Sequence, residues 1–79
     1  MSIDEIQERF AQLVQEVTGV PAAQVTRTKT FAFDLDVDSL SMVEVAMAAE
    51  EKFGVKIPDD ELPKLKTVGD AVSYIQNNS

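Results

Sequence analysis

Residues 33–44 read FDLDVDSLSMVE, in which three alternating aspartates lead into a serine and then into apolar residues at helical spacing. Asp38 has a side chain that can accept a backbone N–H from the first turn of a helix, and the apolar run begins directly after it. The segment therefore predicts a loop that enters a helix at Ser39. At this first helical position the Ser39 hydroxyl is expected to point outward.

The predicted second helix, from about residue 39 to residue 53, has two apolar faces. At about 100° per residue, one face has the width of a stripe that packs on a core. Its members are Met42, Val45, Ala46, Ala49 and Phe53. The second face consists of Leu40, Val43 and Met47, bordered by Glu44, Glu50 and Glu51. It predicts contact with a partner that has an apolar groove edged by Arg or Lys, unless the three apolar residues are merely scattered on the surface.

The chain before this segment predicts one amphipathic helix and a long connection. Ser2 and Glu5 fit a capping box, and an apolar stripe follows until Gly19 and Pro21 end the helix. The stripe consists of Ile3, Ile6, Phe10, Leu13, Val14 and Val17. Residues 20–37 have no sustained period, apart from a possible single turn at 21–25, so we expect apolar side chains to fasten this loop to the core. These anchors are Val20, Val25, Phe31, Phe33 and Leu35.

The chain after the second helix predicts two further helical elements. Gly54 ends the second helix, residues 55–58 read as an extended link, and one helical turn over 59–62 is closed by Pro63, with Leu62 and Leu65 directed inward. Thr67 is a predicted N-cap for the last helix, with Asp70 in its first turn. The stripe of that helix is Val68, Ala71, Val72 and Ile75, and residues 77–79 are expected to fray. The pattern predicts an all-α fold in one domain over residues 1–79.

Composition and charge limit the possible functions. The chain has 79 residues, no cysteine, no histidine and a net charge of −7, and nine acidic residues against two lysines lie within residues 34–61. Such a field disfavours nucleic acid and anionic membrane surfaces and favours basic partners. The N-terminus lacks the pattern of a signal peptide, and no run approaches the length of a membrane span. We therefore expect a soluble cytoplasmic protein.

Two chemical roles for the segment around Ser39 are disfavoured by the residues present. A serine hydrolase needs a base beside its hydroxyl, and the chain has no histidine. The three aspartates mimic positions 1, 3 and 5 of a calcium-binding loop, but position 6 would be Ser39 rather than glycine and position 12 would be Val45 rather than glutamate. We therefore expect no dedicated metal site. Taken alone, Ser39 is most simply an ordinary serine at a helix start, and an attachment point is the alternative.

The run at residues 34–40, followed by Val43-Glu44, residues 56–59, Thr67-Val68 and Tyr74-Ile75, resembles the acyl carrier proteins over nearly the full length. The resemblance implies a four-helix bundle with a long loop between helices one and two and a short third helix. It also implies that a phosphopantetheinyl transferase uses coenzyme A to attach 4′-phosphopantetheine to Ser39. The thiol of that arm would hold acyl groups as thioesters, so the chain would be a carrier rather than an enzyme, shuttling intermediates of fatty acid biosynthesis.

The resemblance further implies which residues partners contact. These are Asp38, Leu40, Val43, Glu44, Met47, Glu50 and Glu51. The partners, besides the transferase, would be the malonyl transferase, ketosynthase, ketoreductase, dehydratase and enoyl reductase of fatty acid synthesis, which would bind a monomeric carrier through basic patches. Asp36 departs from the family, which usually has glycine there. Together with residues 41–44, Asp36 is similar to carriers of actinobacterial type II fatty acid synthases.

Two alternatives stay open at this point. One is a discrete polyketide or peptidyl carrier, although peptidyl carriers usually have a less acidic recognition helix. The other is an unmodified acidic interaction module in which Ser39 is only structural.

Overall fold

The computed structural model describes residues 2–78, and within this range the fold is built from helices and loops. Three α-helices span Ile3–Thr18 (α1), Ser39–Phe53 (α2) and Val68–Asn78 (α3). A 3₁₀ turn at Ala22–Gln24 interrupts the loop between α1 and α2, and a 3₁₀ helix at Asp59–Lys64 takes the place of the expected short third helix. The all-α bundle with a long first loop and a short third helix is confirmed.

The ends of α1 follow the sequence signals. Ser2 is extended, and its Oγ accepts the Glu5 N–H at 3.3 Å. Gly19 has a φ of 83°, in the left-handed region that glycine adopts without strain, and its N–H donates to the Gln15 carbonyl at 2.9 Å. The predicted stripe faces the core, with Ile3 and Val17 half-buried at its two ends.

One apolar core joins all the elements, because α1 packs against both α2 and α3. The aromatic rings of Phe10 in α1 and Phe31 in the long loop meet edge to face, with centroids 6.1 Å apart. Among residues 2–78 every fully buried side chain is apolar. The fold therefore depends on apolar burial, and the ionisable groups are left to the surface.

Backbone hydrogen bonds fasten the long loop to the start of α3. The Phe31 N–H donates to the Lys66 carbonyl, and the N–H groups of Val68 and Gly69 donate to the carbonyls of Lys29 and Arg27, at 2.9 to 3.1 Å. A Cβ atom at Gly69 would lie 3.1 Å from the Arg27 carbonyl oxygen, so any other residue there would push the two segments apart by a few tenths of an ångström. The loop is thus held in a fixed position as it leads into α2.

The prediction that Phe33 anchors this loop was wrong. Val25, Phe31 and Leu35 are buried and Val20 is half-buried, but the Phe33 side chain is 91% exposed. Residues 31–34 form a tight turn in which the N–H groups of Asp34 and Leu35 both donate to the Thr30 carbonyl. Because of this turn, Phe33 points away from the core although Phe31, two positions earlier, points into it.

Two further expectations need correction near the C-terminus. Pro63 does not close the short helix, which continues through it to Lys64, because proline has a helical φ and removes only one donor from the turn. Leu62 is half-buried and Leu65 buried, as predicted. Residues 77 and 78 were expected to fray but remain helical, and the Asn78 amide donates to the Tyr74 carbonyl at 2.8 Å. Ser79 lies outside the described residues.

Candidate functional site

The candidate site is the junction between the long loop and α2, and Asp38 creates it. Asp38 has an extended backbone and its Oδ1 accepts the Ser41 N–H at 2.8 Å, so it is the N-cap of α2. Ser39 is consequently the first helical residue, and its side chain is exposed. Both placements agree with the sequence-based prediction. The result is a hydroxyl that stands at the positive end of a 15-residue helix.

The turn before the junction depends on Asp36. Its φ is 54°, and among the described residues it is the one non-glycine residue with a positive φ. This is the position at which the resembled family usually has glycine, and aspartate tolerates the left-handed region better than most residues. The next residue, Val37, is buried and its N–H donates to the Phe31 carbonyl at 2.7 Å. The expected turn therefore forms with aspartate in the place of glycine.

Two aspartates of the loop, Asp34 and Asp38, are held by hydrogen bonds within the chain. The Asp34 carboxylate accepts from the backbone N–H of Thr30 at 2.8 Å and from its hydroxyl at 3.1 Å, which lowers the pKa of Asp34 below its ordinary value of 3.8. The N–H and hydroxyl of Ser41, followed by the N–H of Leu40, lower the pKa of Asp38 in the same way. Both carboxylates stay ionised near neutral pH, and each has an oxygen engaged by N–H donors.

Two apolar grooves flank Ser39, and Ser39 and Met42 line both of them. The groove on the loop side has a volume of about 450 Å³ and is also lined by Phe31, Phe33 and Leu65. The groove on the side of the 3₁₀ helix has a volume of about 530 Å³; its further lining comes from Val43, Asp59, Leu62 and Pro63. A group attached to the Ser39 hydroxyl would have apolar surface on either side.

The outer face of α2 carries the apolar residues that the sequence separated from the core. Leu40 is 72% exposed, Met47 60% and Val43 38%, and the neighbouring Glu44 and Glu51 are exposed as well. The core-facing residues of α2 are buried, with Met42 half-buried between the two grooves. The division of α2 into two apolar faces is confirmed.

Two residues at this surface differ from what the sequence indicated. Glu50 was placed at the border of the outer face, and it has a second contact that the sequence did not indicate: the residue is half-buried and its Oε2 accepts the Ile57 N–H at 2.8 Å. Phe33 was expected in the core but is exposed beside the groove that Ser39 lines. Thr30 and Asp34 are the sequence signal that could have placed Phe33 outside the core. Their side chains hydrogen-bond across a turn, and this turn directs Phe33 to the surface.

The known proteins that this chain matches are acyl carrier proteins, and the matching family is one of phosphopantetheine attachment. The family described as "Phosphopantetheine attachment site" matches residues 8–75. An acyl carrier protein of Acidothermus cellulolyticus is 61% identical over 98% of this chain and 92% of its own length. One of Thermobifida fusca is 60% identical over 91% of each chain. A meromycolate extension acyl carrier protein of Mycolicibacterium smegmatis is 55% identical over 92% of this chain and 74% of its own.

Proposed function

The chain belongs to the acyl carrier proteins, and on that premise we propose that Ser39 is the residue that carries its 4′-phosphopantetheine group. The protein is a phosphopantetheine-bearing acyl carrier of fatty acid biosynthesis. One observation supports Ser39 above all: its side chain is exposed at the first residue of α2, with an apolar groove on either side. Ser41, the other serine of α2, is half-buried.

The electrostatics of the junction fit a phosphodiester on Ser39. The phosphate would lie beside the positive dipole end of α2, which favours an anion. Asp38 and Asp34 are negative neighbours, but their carboxylates are hydrogen-bonded to N–H donors of this chain. The helix terminus therefore offsets part of the repulsion that the acidic loop exerts on an incoming phosphate.

The attached group supplies a thiol that holds acyl chains as thioesters, which a chain without cysteine could not otherwise do. The residues of this chain position the attachment atom and leave it open to solvent. We infer that the base that takes up the Ser39 proton belongs to the transferase, because the chain has no histidine and the neighbouring Asp38 carboxylate is engaged as the cap of α2, with a lowered pKa that makes it a weak base. We infer that the chain is a single carrier domain over residues 1–79, that it acts as a monomer in the cytoplasm, and that partner enzymes perform every chemical step.

The partner surface is proposed to be the outer face of α2. Its apolar residues are exposed and its rim is acidic, which suits an enzyme with an apolar groove edged by Arg or Lys. The residues assigned to it are Asp38, Leu40, Val43, Glu44, Met47, Glu50 and Glu51. The partners are proposed to be the phosphopantetheinyl transferase and the malonyl transferase, ketosynthase, ketoreductase, dehydratase and enoyl reductase of fatty acid synthesis. Within residues 2–78 no helix has both the length and the apolar composition needed to cross a membrane.

Intact mass measurement after incubation with coenzyme A and a phosphopantetheinyl transferase tests the assignment of Ser39. The wild-type chain and the matched control Ser41→Ala should each gain one phosphopantetheine, whereas Ser39→Ala should gain none. The two serines lie in the same turn of α2, so the control reproduces the loss of a hydroxyl without touching the attachment atom. No gain by the wild-type chain with several transferases, or a gain by Ser39→Ala, would contradict the proposal.

A charge reversal tests the partner surface separately. Glu44→Lys on the outer face of α2 should raise the KM of the loaded carrier for a malonyl transferase, because it places a cation opposite a basic groove. Glu16→Lys, an equal charge change at an exposed residue of α1, is the control and should leave KM within about twofold of the wild-type value. Equal effects of the two variants would indicate attraction by net charge alone and would contradict a defined surface on α2.

A further inference from the structure

Phe33 is the most exposed large apolar residue within residues 2–78, at 91%. Its position is fixed, because the turn at residues 31–34 is held by the Asp34 carboxylate on the Thr30 N–H and by the Thr30 hydroxyl on the Asp34 N–H. Phe31 and Leu35, two positions before and after it, are buried. A phenyl ring held in water forgoes the stabilisation that burial gives to such a side chain. The fold therefore presents this ring at the surface without covering it.

The ring and the outer face of α2 border different grooves, both of which Ser39 lines. Phe33 lines the groove on the loop side of Ser39, whereas Val43 lines the groove on the other side. Among residues 2–78 the exposed large apolar side chains are Phe33, Leu40, Val43 and Met47. Apolar contacts are thus available on both sides of the hydroxyl, and on the loop side a single aromatic ring supplies the largest of them.

The charges around Phe33 define the partner that could cover it. Asp34 follows it directly, and Asp36 and Asp38 complete an exposed acidic edge between the ring and α2. Asp34 and Asp38 remain ionised near neutral pH, since N–H donors lower the pKa of both groups. An aromatic ring beside a row of carboxylates matches an apolar socket edged by Arg or Lys on a protein partner.

We propose that Phe33 is a docking residue for the phosphopantetheinyl transferase, with its ring seated in an apolar socket that basic residues surround. The inference rests on the proposed function of Ser39. The transferase is the partner whose reaction takes place at the Ser39 Oγ itself, so it must close over both sides of that atom. Enzymes that act on the thioester work at the far end of a flexible arm and can dock along α2 without reaching the loop. Phe33 therefore discriminates between partners.

Steady-state transfer of phosphopantetheine from coenzyme A tests this proposal, with a transferase that converts the wild-type chain. Phe33→Ala should lower kcat/KM about tenfold, mainly through KM, because losing an apolar anchor weakens binding without changing the reacting atoms. Phe33→Tyr should retain most of the activity. Thr28→Ala, an exposed change in the same loop but outside both grooves, should leave kcat/KM within about twofold of wild type.

Two further measurements distinguish docking by the ring from a loss of folding and from attraction by charge. The thermal midpoint of Phe33→Ala should match that of the wild-type chain, since the ring contributes little to the core. The tenfold ratio should persist in 0.5 M NaCl, because an apolar contact is not screened by salt. A ratio that disappears at high salt would overturn the proposal, as would wild-type transfer kinetics for Phe33→Ala.

A loaded Phe33→Ala carrier tests the discrimination between partners. Once phosphopantetheine is attached, its KM for a malonyl transferase should lie within about twofold of the wild-type value. An equal tenfold loss with both enzymes would refute the assignment to the transferase. These outcomes leave the role of Ser39 untouched, because that role fails only if the wild-type chain is never modified or if Ser39→Ala is.

Discussion

Replacing Glu50 with alanine tests a structural role that the sequence did not indicate. The Glu50 side chain is half-buried in the last turns of α2, and its Oε2 accepts the Ile57 N–H at 2.8 Å. Ile57 is buried, with 7% of its surface exposed. The carboxylate therefore holds the extended link at residues 55–58 against α2, in addition to its proposed contact with partners.

The loss of stability on this replacement can be worked out from the Ile57 N–H, which would be left without its acceptor. A hydrogen bond to a charged acceptor is worth about 1.5 to 3 kcal/mol, and an unsatisfied buried N–H costs about 1 to 3 kcal/mol. Because the bond is partly exposed, Glu50→Ala should lower the free energy of unfolding by about 1.5 kcal/mol. For a domain of this size that corresponds to a fall in the thermal midpoint of roughly 6 to 12 °C.

Urea unfolding followed by circular dichroism measures this loss, and Glu51→Ala is the matched control. Glu51 is exposed on the next position of the same helix, so its replacement makes the same change in charge and in helix propensity. Glu50→Gln keeps an oxygen acceptor and should lie between the wild-type chain and Glu50→Ala. If Glu50→Ala is no less stable than Glu51→Ala, the bond to Ile57 does not stabilise the fold and the reasoning fails.

Three other predictions concern pH, backbone conformation and salt. The folded-state pKa of Asp34 and of Asp38 is lowered from 3.8, so the stability that these groups contribute is present above that pH and is lost as the pH falls through the folded value. Asp38→Asn keeps a capping oxygen and should flatten the fall of the urea midpoint between pH 5 and pH 2, and an unchanged slope would contradict the linkage. Asp36→Ala should cost about 1 kcal/mol at its φ of 54°, whereas Asp36→Gly should stay within about 0.5 kcal/mol of wild type; equal thermal midpoints for the two variants would refute the left-handed turn. The thermal midpoint of the unmodified chain should rise with NaCl because its net charge is −7, and a midpoint that is flat from low to high ionic strength would show that repulsion is unimportant.

The helices were predictable because their signals are local. Asp38 and Thr67 cap α2 and α3 as their side chains indicated, and Gly19 and Gly54 end α1 and α2 with left-handed backbones. The apolar period then separated buried from exposed residues along each helix. The place of Ser39 at the start of α2 followed from the cap alone, because the residue after an N-cap is the first residue of the helix.

The errors arose where tertiary contacts or irregular backbone decide. Phe33 was assigned to the core because an apolar residue in a long loop is most simply an anchor, but the turn fixed by Thr30 and Asp34 directs it outward. Glu50 was assigned only to the surface because its acceptor role depends on Ile57, seven residues away in a link without a period. Helical periodicity predicts which side chains of a helix face the core, but it does not predict either of these contacts.

The central claim is that one hydroxyl of this chain is the attachment point of the phosphopantetheine arm. The most direct test is to purify the protein from its own cells, digest it, and locate the modification by fragmenting the peptide that spans residues 33–44. We expect phosphopantetheine on Ser39 and an unmodified Ser41. A modification found on any other residue, or a chain that is never modified in growing cells, would contradict it.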